Sequence, residues 1–132
     1  MKIKRKLPPF WFILHWFFPN ANPKTICVAW GDTLYTYGEL TPDLLEHEKV
    51  HLQRQRHSKV IGIFWIARYV LSRKFRLNEE VLAYKAQWNF TEKWVKDRNW
   101  RFKCLIHLID ELSSSLYGNL CTKDKAKPLI TG

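Results

Sequence analysis

Two short runs rich in β-branched and aromatic residues, Lys24 to Trp30 and Thr33 to Tyr37, are separated only by Gly31-Asp32. A two-residue Gly-Asp connection between such runs is a hairpin signal, and the pattern predicts two antiparallel strands. After Gly38 the period changes. Thr41-Pro42-Asp43 marks a helix start, with Thr41 as cap, Pro42 at the first helical position and Asp43 at the positive end of the dipole. That helix is expected from about residue 42 to about residue 57. The next run, Val60 to Leu71, is apolar except for Arg68 and too short to cross a bilayer, so it reads as a buried core helix. Arg73 to Arg76 reads as a basic turn, Asn78 as the cap of a long helix reaching Asp97 or Arg98, and Tyr84, Trp88, Phe90 and Trp94 most simply as packing residues. A last helix is expected from Asn99 or Trp100 to Tyr117, stopped by Gly118. Residues 119–132, which include Lys123 to Lys127, read as a solvated tail. The sum is an α+β class: one mainly helical domain over 1–132, with a small antiparallel hairpin or sheet ahead of its first long helix.

The N-terminal 23 residues form a basic and aromatic segment. Lys2 to Lys6 followed by Phe10 to Phe18 imitates a secretory signal, but His15 interrupts the apolar run, and the stretch from Pro19 to Pro23 offers no small-residue cleavage site. A packed segment is expected. Trp and Phe beside Lys and Arg would also suit a headgroup boundary.

Composition narrows the class further. Apolar residues make up 46% of the 132, and 7 Trp, 8 Phe and 5 Tyr argue against disorder. The net charge of +10 is compatible with an acidic partner or nucleic acid, although the basic clusters at the two ends are also what a solvated surface shows. The 3 cysteines, Cys27, Cys104 and Cys121, are an odd number at wide spacing, which suits reduced thiols in a cytoplasmic protein rather than a disulfide framework.

The candidate chemistry lies in the helix after the hairpin. His47-Glu48-Lys49-Val50-His51 is an H-E-x-x-H pattern. On a helix its two imidazoles stand about 40° apart around the axis and about 6 Å apart along it, so both can reach one ion. On a helical wheel His47, His51, Leu44, Gln55 and Glu48 share one arc, while Lys49, Gln53 and Arg56 lie opposite. Imidazoles facing inward are costly unless a metal or polar partners satisfy them. Zn²⁺ is the natural ion, with Glu48 beside its water as general base.

A third ligand is available in Glu80-Val81-Leu82-Ala83-Tyr84. At this point the chain resembles the gluzincin zinc metallopeptidases, in particular small single-domain bacterial and phage members with an H-E-x-x-H helix and a downstream E-x-x-A helix. The resemblance covers roughly residues 25–87. It implies a zincin-like fold that cleaves a peptide or protein substrate, with His47, His51 and Glu80 as zinc ligands, Glu79 as the competing choice and Glu48 as base. It also implies an edge strand, expected at Thr33 to Tyr37, on which an extended substrate pairs. The family often has Asp four residues after the Glu ligand; Tyr84 stands there, as a replacement bond to a histidine, an oxyanion donor or a packing residue. Tyr69, Arg68 and Arg76 are further electrophile candidates. Two other functions compete: a non-catalytic protein on the same scaffold, for instance associated with a virion, and a basic nucleic-acid-associated protein.

Overall fold

The hairpin forms where the sequence predicts it. In the computed structural model, which describes residues 1–132, β2 (Cys27–Trp30) and β3 (Thr33–Thr36) pair antiparallel, with Trp30 opposite Thr33. Gly31 takes the first turn position at φ 64°, where a side chain would be strained and would also meet Lys59. The sheet has a third strand that the hydropathy pattern did not reveal. β1 (Lys2–Lys4) lies parallel to β3, giving the order β1-β3-β2. Three residues with lysine at both ends carry too little alternation to be read as a strand. The sheet is therefore mixed, β3 is its central strand, and the expected free edge at Thr33 to Tyr37 does not exist. The edge on the site's side is β2.

Six helices follow or flank this sheet: α1 (Trp11–Phe17), α2 (Pro42–Arg54), α3 (Lys59–Leu71), α4 (Arg73–Trp94), α5 (Arg98–Leu112) and α6 (Lys123–Thr131). Pro42 opens α2 as expected, but Thr41 makes no side-chain cap. α2 stops at Arg54, short of the expected end, because Arg56 and His57 turn left-handed at φ 54° and 52° and the His57 N–H closes back on the Leu52 carbonyl at 3.0 Å. α4 begins five residues earlier than Asn78. Ser72 caps it by accepting from the Phe75 N–H at 3.2 Å, so the supposed basic turn is its first turn. Arg76 is buried there, donating to the Tyr69, Val70 and Tyr117 carbonyls, which satisfies the exposed end of α3.

Two apolar clusters hold the fold. Tyr84, Trp88, Leu105, Leu108, Ile109, Leu112, Ala126 and Ile130 pack where α4, α5 and α6 meet, and Ala29, Leu34 and Leu52 join the sheet to α2. Fully buried leucines such as Leu34 and Leu112 each stabilise by about 1.5–3 kcal/mol. The C-terminal stretch is thus not a tail: from Lys123 it is helical and places Ala126 and Ile130 in the core. The lysines and Asp124 disguised two apolar residues at i, i+4 spacing. α3 departs from expectation in the opposite direction. Of its residues only Gly62 is buried, and a Cβ there would stand 2.5 Å from Gln55 Oε1 and 2.9 Å from the Trp30 ring. The helix touches the hairpin through its glycine and leaves Val60, Phe64 and Leu71 outside. No helix is long and apolar enough to cross a membrane.

Candidate metal centre

α2 and α4 pack on one another more extensively than any other pair of elements. α2 presents His47, Glu48 and His51 on its inner face, and α4 presents a buried stripe with helical spacing that includes Glu79, Glu80, Ala83, Tyr84 and Gln87. Ala83 is fully buried, and its small side chain lets the two helices approach.

The two imidazoles and the Glu80 carboxylate converge. His47 Nε2 is 3.3 Å from His51 Nε2 and 3.3 Å from Glu80 Oε2, and His51 Nε2 is 3.3 Å from Glu80 Oε1. Donor atoms around a tetrahedral ion at about 2.0–2.1 Å stand about 3.3 Å from one another, so the spacing suits a small divalent cation. All three side chains are buried, and Glu80 Oε2 has no hydrogen-bond partner. A His-His-Glu group able to hold a metal ion is therefore present in the fold. Glu79, the competing ligand, faces away and is bound by Arg54 through Nε at 2.9 Å and Nη2 at 3.0 Å.

Surrounding side chains set the orientation of each ligand. Asp43 accepts from Gln87 Nε2 at 2.8 Å, which turns the amide oxygen toward His47 Nδ1 at 3.1 Å. A carbonyl oxygen only accepts, so Nδ1 carries the proton and the Nε2 lone pair faces the site. Tyr69 donates to Glu80 Oε1 at 2.6 Å, leaving Oε2 for an ion. His51 Nδ1 is buried without a partner, beside the Trp65 ring at 5.3 Å, so the two histidines are not equivalent. Replacing Gln87 by Leu is expected to weaken metal binding by about 10–100-fold, the usual cost of removing a partner that orients a ligand histidine. A competition titration against a chromophoric chelator reads this directly.

The cluster is rich in acceptors and needs a cation at its centre. Without a metal that cation is a proton on His51: burial works against it, but the Glu80 carboxylate prevails and raises the imidazole to about 9. Glu80 is held well below the ordinary carboxylate range, by His51 and His47 against its own burial, and carries no proton at neutral pH. The signs follow. His51 has a higher pKa folded than unfolded, so its contribution to the metal-free protein is full below about 6.5 and fades as pH rises through 9. A metal must displace the same proton. Its affinity is expected to rise about tenfold per pH unit between neutrality and 9 and then level off. Titrations at several pH values, repeated in buffers of different ionisation enthalpy, count the proton released; a flat profile would exclude it.

Glu48 shares the site without joining the ligand set. It is buried beside both histidines and faces the Cys27 thiol on β2; burial pushes its carboxyl up against the pull of His47 and His51. The Cys27 thiol is pushed well above its usual range by burial and by Glu48, so it remains a neutral thiol. A cavity of about 110 Å³ opens in front of the cluster, walled by Cys27, Val28 and Ala29 of β2 on one side and by residues of α1 and α3 on the other. Gln55 fixes that strand: its side chain, fully buried, donates to the Ala29 carbonyl at 3.0 Å and accepts from Gly31 N–H at 2.6 Å.

Of the remaining residues named from the sequence, Tyr69 enters the cavity wall, while Arg68 lies over the Phe75 ring at 4.5 Å and Arg76 is occupied with carbonyls. Tyr84 differs from expectation. Its ring packs edge-on against His47 at 4.5 Å, but its hydroxyl donates to Glu111 and contacts Tyr117, so neither the histidine bond nor the oxyanion role is open to it. The histidine bond belongs to Gln87, one helical turn further on. The sequence pattern marks neither Gln87 nor Trp65, and it marks Cys27 only as a reduced thiol, because nothing in their local spacing ties them to the site.

Fold and site together define an α+β domain with a buried two-histidine, one-glutamate group suited to a metal ion. No protein-family model, no curated protein and no solved structure matches the chain.

Proposed function

We propose that the chain is a zinc-dependent metallopeptidase, gluzincin-like in its ligand set, with His47, His51 and Glu80 holding the ion and Glu48 as general base. The observation that carries this reading is the division of labour among buried side chains. Three donor atoms stand at tetrahedral spacing, while the second carboxylate shares the same cavity and stays out of the ligand set. Two imidazoles and one carboxylate are a borderline-soft, neutral-to-anionic donor set that suits zinc better than magnesium or calcium. When bound, zinc would polarise a carbonyl and bring a water's pKa to about 7.

The rest is the work of the chain. Glu48, with its raised carboxyl, takes a proton from the attacking water and delivers it to the departing amine. The Asp43-Gln87 pair keeps the His47 lone pair aimed inward, and Tyr69 keeps Glu80 from rotating. An extended substrate would pair with the outer edge of β2 along the cavity, at Cys27 and the Ala29 N–H, since Gln55 already occupies the Ala29 carbonyl and the Gly31 N–H, and not with β3. Most of the cavity wall is apolar, which favours hydrophobic side chains beside the cleaved bond.

The direct test incubates zinc-loaded protein with an unfolded polypeptide such as reduced, alkylated casein and sequences the products. Cleavage that stops on chelation and returns with zinc supports the reading. Intact substrate from fully loaded protein rejects it, in favour of a metal-holding scaffold without turnover.

A further inference from the structure

The segments 1–31 and 49–78 hold 13 of the 22 lysines and arginines and none of the 12 carboxylates. These segments build β1, α1, β2, the end of α2, α3 and the first turn of α4. The excess positive charge therefore lies in these segments, where Lys2, Lys49 and Arg54 are paired with Asp32, Glu46 and Glu79, and the remainder of the chain is slightly acidic.

The same segments carry the five most exposed of the large apolar side chains. On α1, Phe12 is 74% and Trp16 83% exposed, one turn apart. On α3, Val60, Phe64 and Leu71 are 67%, 73% and 76% exposed and fall on one outward stripe. Between the helices runs a wholly apolar groove of about 450 Å³, with Ile13 and Phe17 on one wall and Ile63 and Val70 on the other. A stripe of this kind normally faces a core, and a contiguous exposed apolar surface marks an interaction site.

We propose that the α1/α3 face docks on an anionic lipid bilayer, with Phe12, Trp16, Phe64 and Leu71 entering the headgroup boundary and Lys59 and Arg68 of α3 and Lys74 at the start of α4 meeting acidic headgroups. Charge decides the occupant. A second copy of the chain would bring like charge against like, which disfavours a dimer across this face. A nucleic acid would satisfy the cations but offers no apolar surface to Val60, Ile63 or Leu71. Only an acidic, amphipathic surface suits both features. Leu14 and Ile66 line both the groove and the metal cavity, so the docked face also roofs the metal centre. The docking inference rests on the surface alone and is independent of the peptidase reading.

Flotation of the intact, zinc-loaded chain tests it, using vesicles of phosphatidylcholine with about 30% phosphatidylglycerol and vesicles of phosphatidylcholine alone. Binding to the acidic vesicles is expected at low salt and should be at least about tenfold weaker on neutral vesicles or when salt shortens the screening length to a few Å. The Trp16→Ser/Phe64→Ser variant and the Arg68→Glu/Lys74→Glu variant are each expected to lose binding by about tenfold or more. Their zinc stoichiometry and circular dichroism should match wild type, since none of the four side chains lines the metal cavity. Absence of flotation, equal binding to neutral vesicles, or binding unchanged in either variant overturns the proposal. So does a concentration-dependent dimer that the Trp16/Phe64 variant abolishes, or duplex DNA that competes and binds the Trp16/Phe64 variant undiminished. Cleavage is measured separately, so loss of docking with intact cleavage, or the reverse, tells the two readings apart.

Discussion

Replacing Glu80 by Gln is expected to lower zinc affinity by at least about a thousandfold, whereas Glu79→Gln, one residue away, leaves it within about tenfold of wild type. The contrast comes from the geometry of α4. Neighbours on a helix point about 100° apart. Glu80 turns toward α2, where Oε2 stands 3.3 Å from His47 Nε2, and Glu79 turns toward Arg54, which clasps both its oxygens. Losing the Glu80 charge also removes the anion that keeps a proton on His51 in the metal-free protein. Its imidazole should then fall back toward or below the ordinary range, because burial alone disfavours the charged form. Glu79→Gln acts through stability instead. Glu79 is buried while Arg54 is half-exposed, so breaking the bidentate pair is expected to cost about 1–3 kcal/mol. Metal titration and thermal unfolding on the two variants separate these effects. Equal loss of zinc in both would refute the assignment of the third ligand.

How much of this centre was legible in the sequence depends on the range of the interactions involved. The H-E-x-x-H spacing is a local rule of helix geometry, and a proline at the first position of α2 fixes the helix that makes it meaningful. Glu80 was reachable because its partners in the E-x-x-A pattern are also local. The choice between Glu79 and Glu80 turns on which face of α4 meets α2, and the pattern carried it only because Ala83, the small residue at the contact, falls three places after Glu80. Gln87 and Cys27 reach the site through packing between α2, α4 and β2, separated by 40 residues in the His47-Gln87 bond, and no periodicity reports that.

The errors have the same origin. Tyr84 sits at the right position in the pattern, but Glu111 and Tyr117, far along the chain, offer its hydroxyl better partners than the metal site does. β1 escaped notice because a strand of three residues takes its stability from the neighbour it pairs with rather than from its own pattern. Reading α3 as core and 119–132 as tail both assumed that apolar residues go inside and lysines outside. In this chain α3 spends its most apolar stripe on the surface, while α6 hides two small contributions to the core behind lysines. Burial fraction is a property of the assembled fold, and apolar atoms form much of any protein's surface.

Replacement of Glu48 by Gln is expected to leave the metal in place and remove turnover by about 10²–10⁴-fold, the range that general bases contribute. Glutamine keeps the shape and can still meet the Cys27 thiol, so the cavity wall should stand. An amide at this position cannot take a proton, and that is the only function the proposal gives the residue. Metal affinity should change little, or rise slightly at low pH, because a neutral amide removes one of the carboxylates that favour the proton on His51. The diagnostic pattern is a fall in kcat with zinc stoichiometry preserved. A matching variant, Cys27→Ser, keeps a hydrogen-bonding partner beside Glu48 and should retain most of the activity, which distinguishes loss of the base from disturbance of β2. If Glu48→Gln cleaves casein at the wild-type rate with zinc bound, another group moves the proton, and the carboxylate on α2 serves only to balance charge around the histidines.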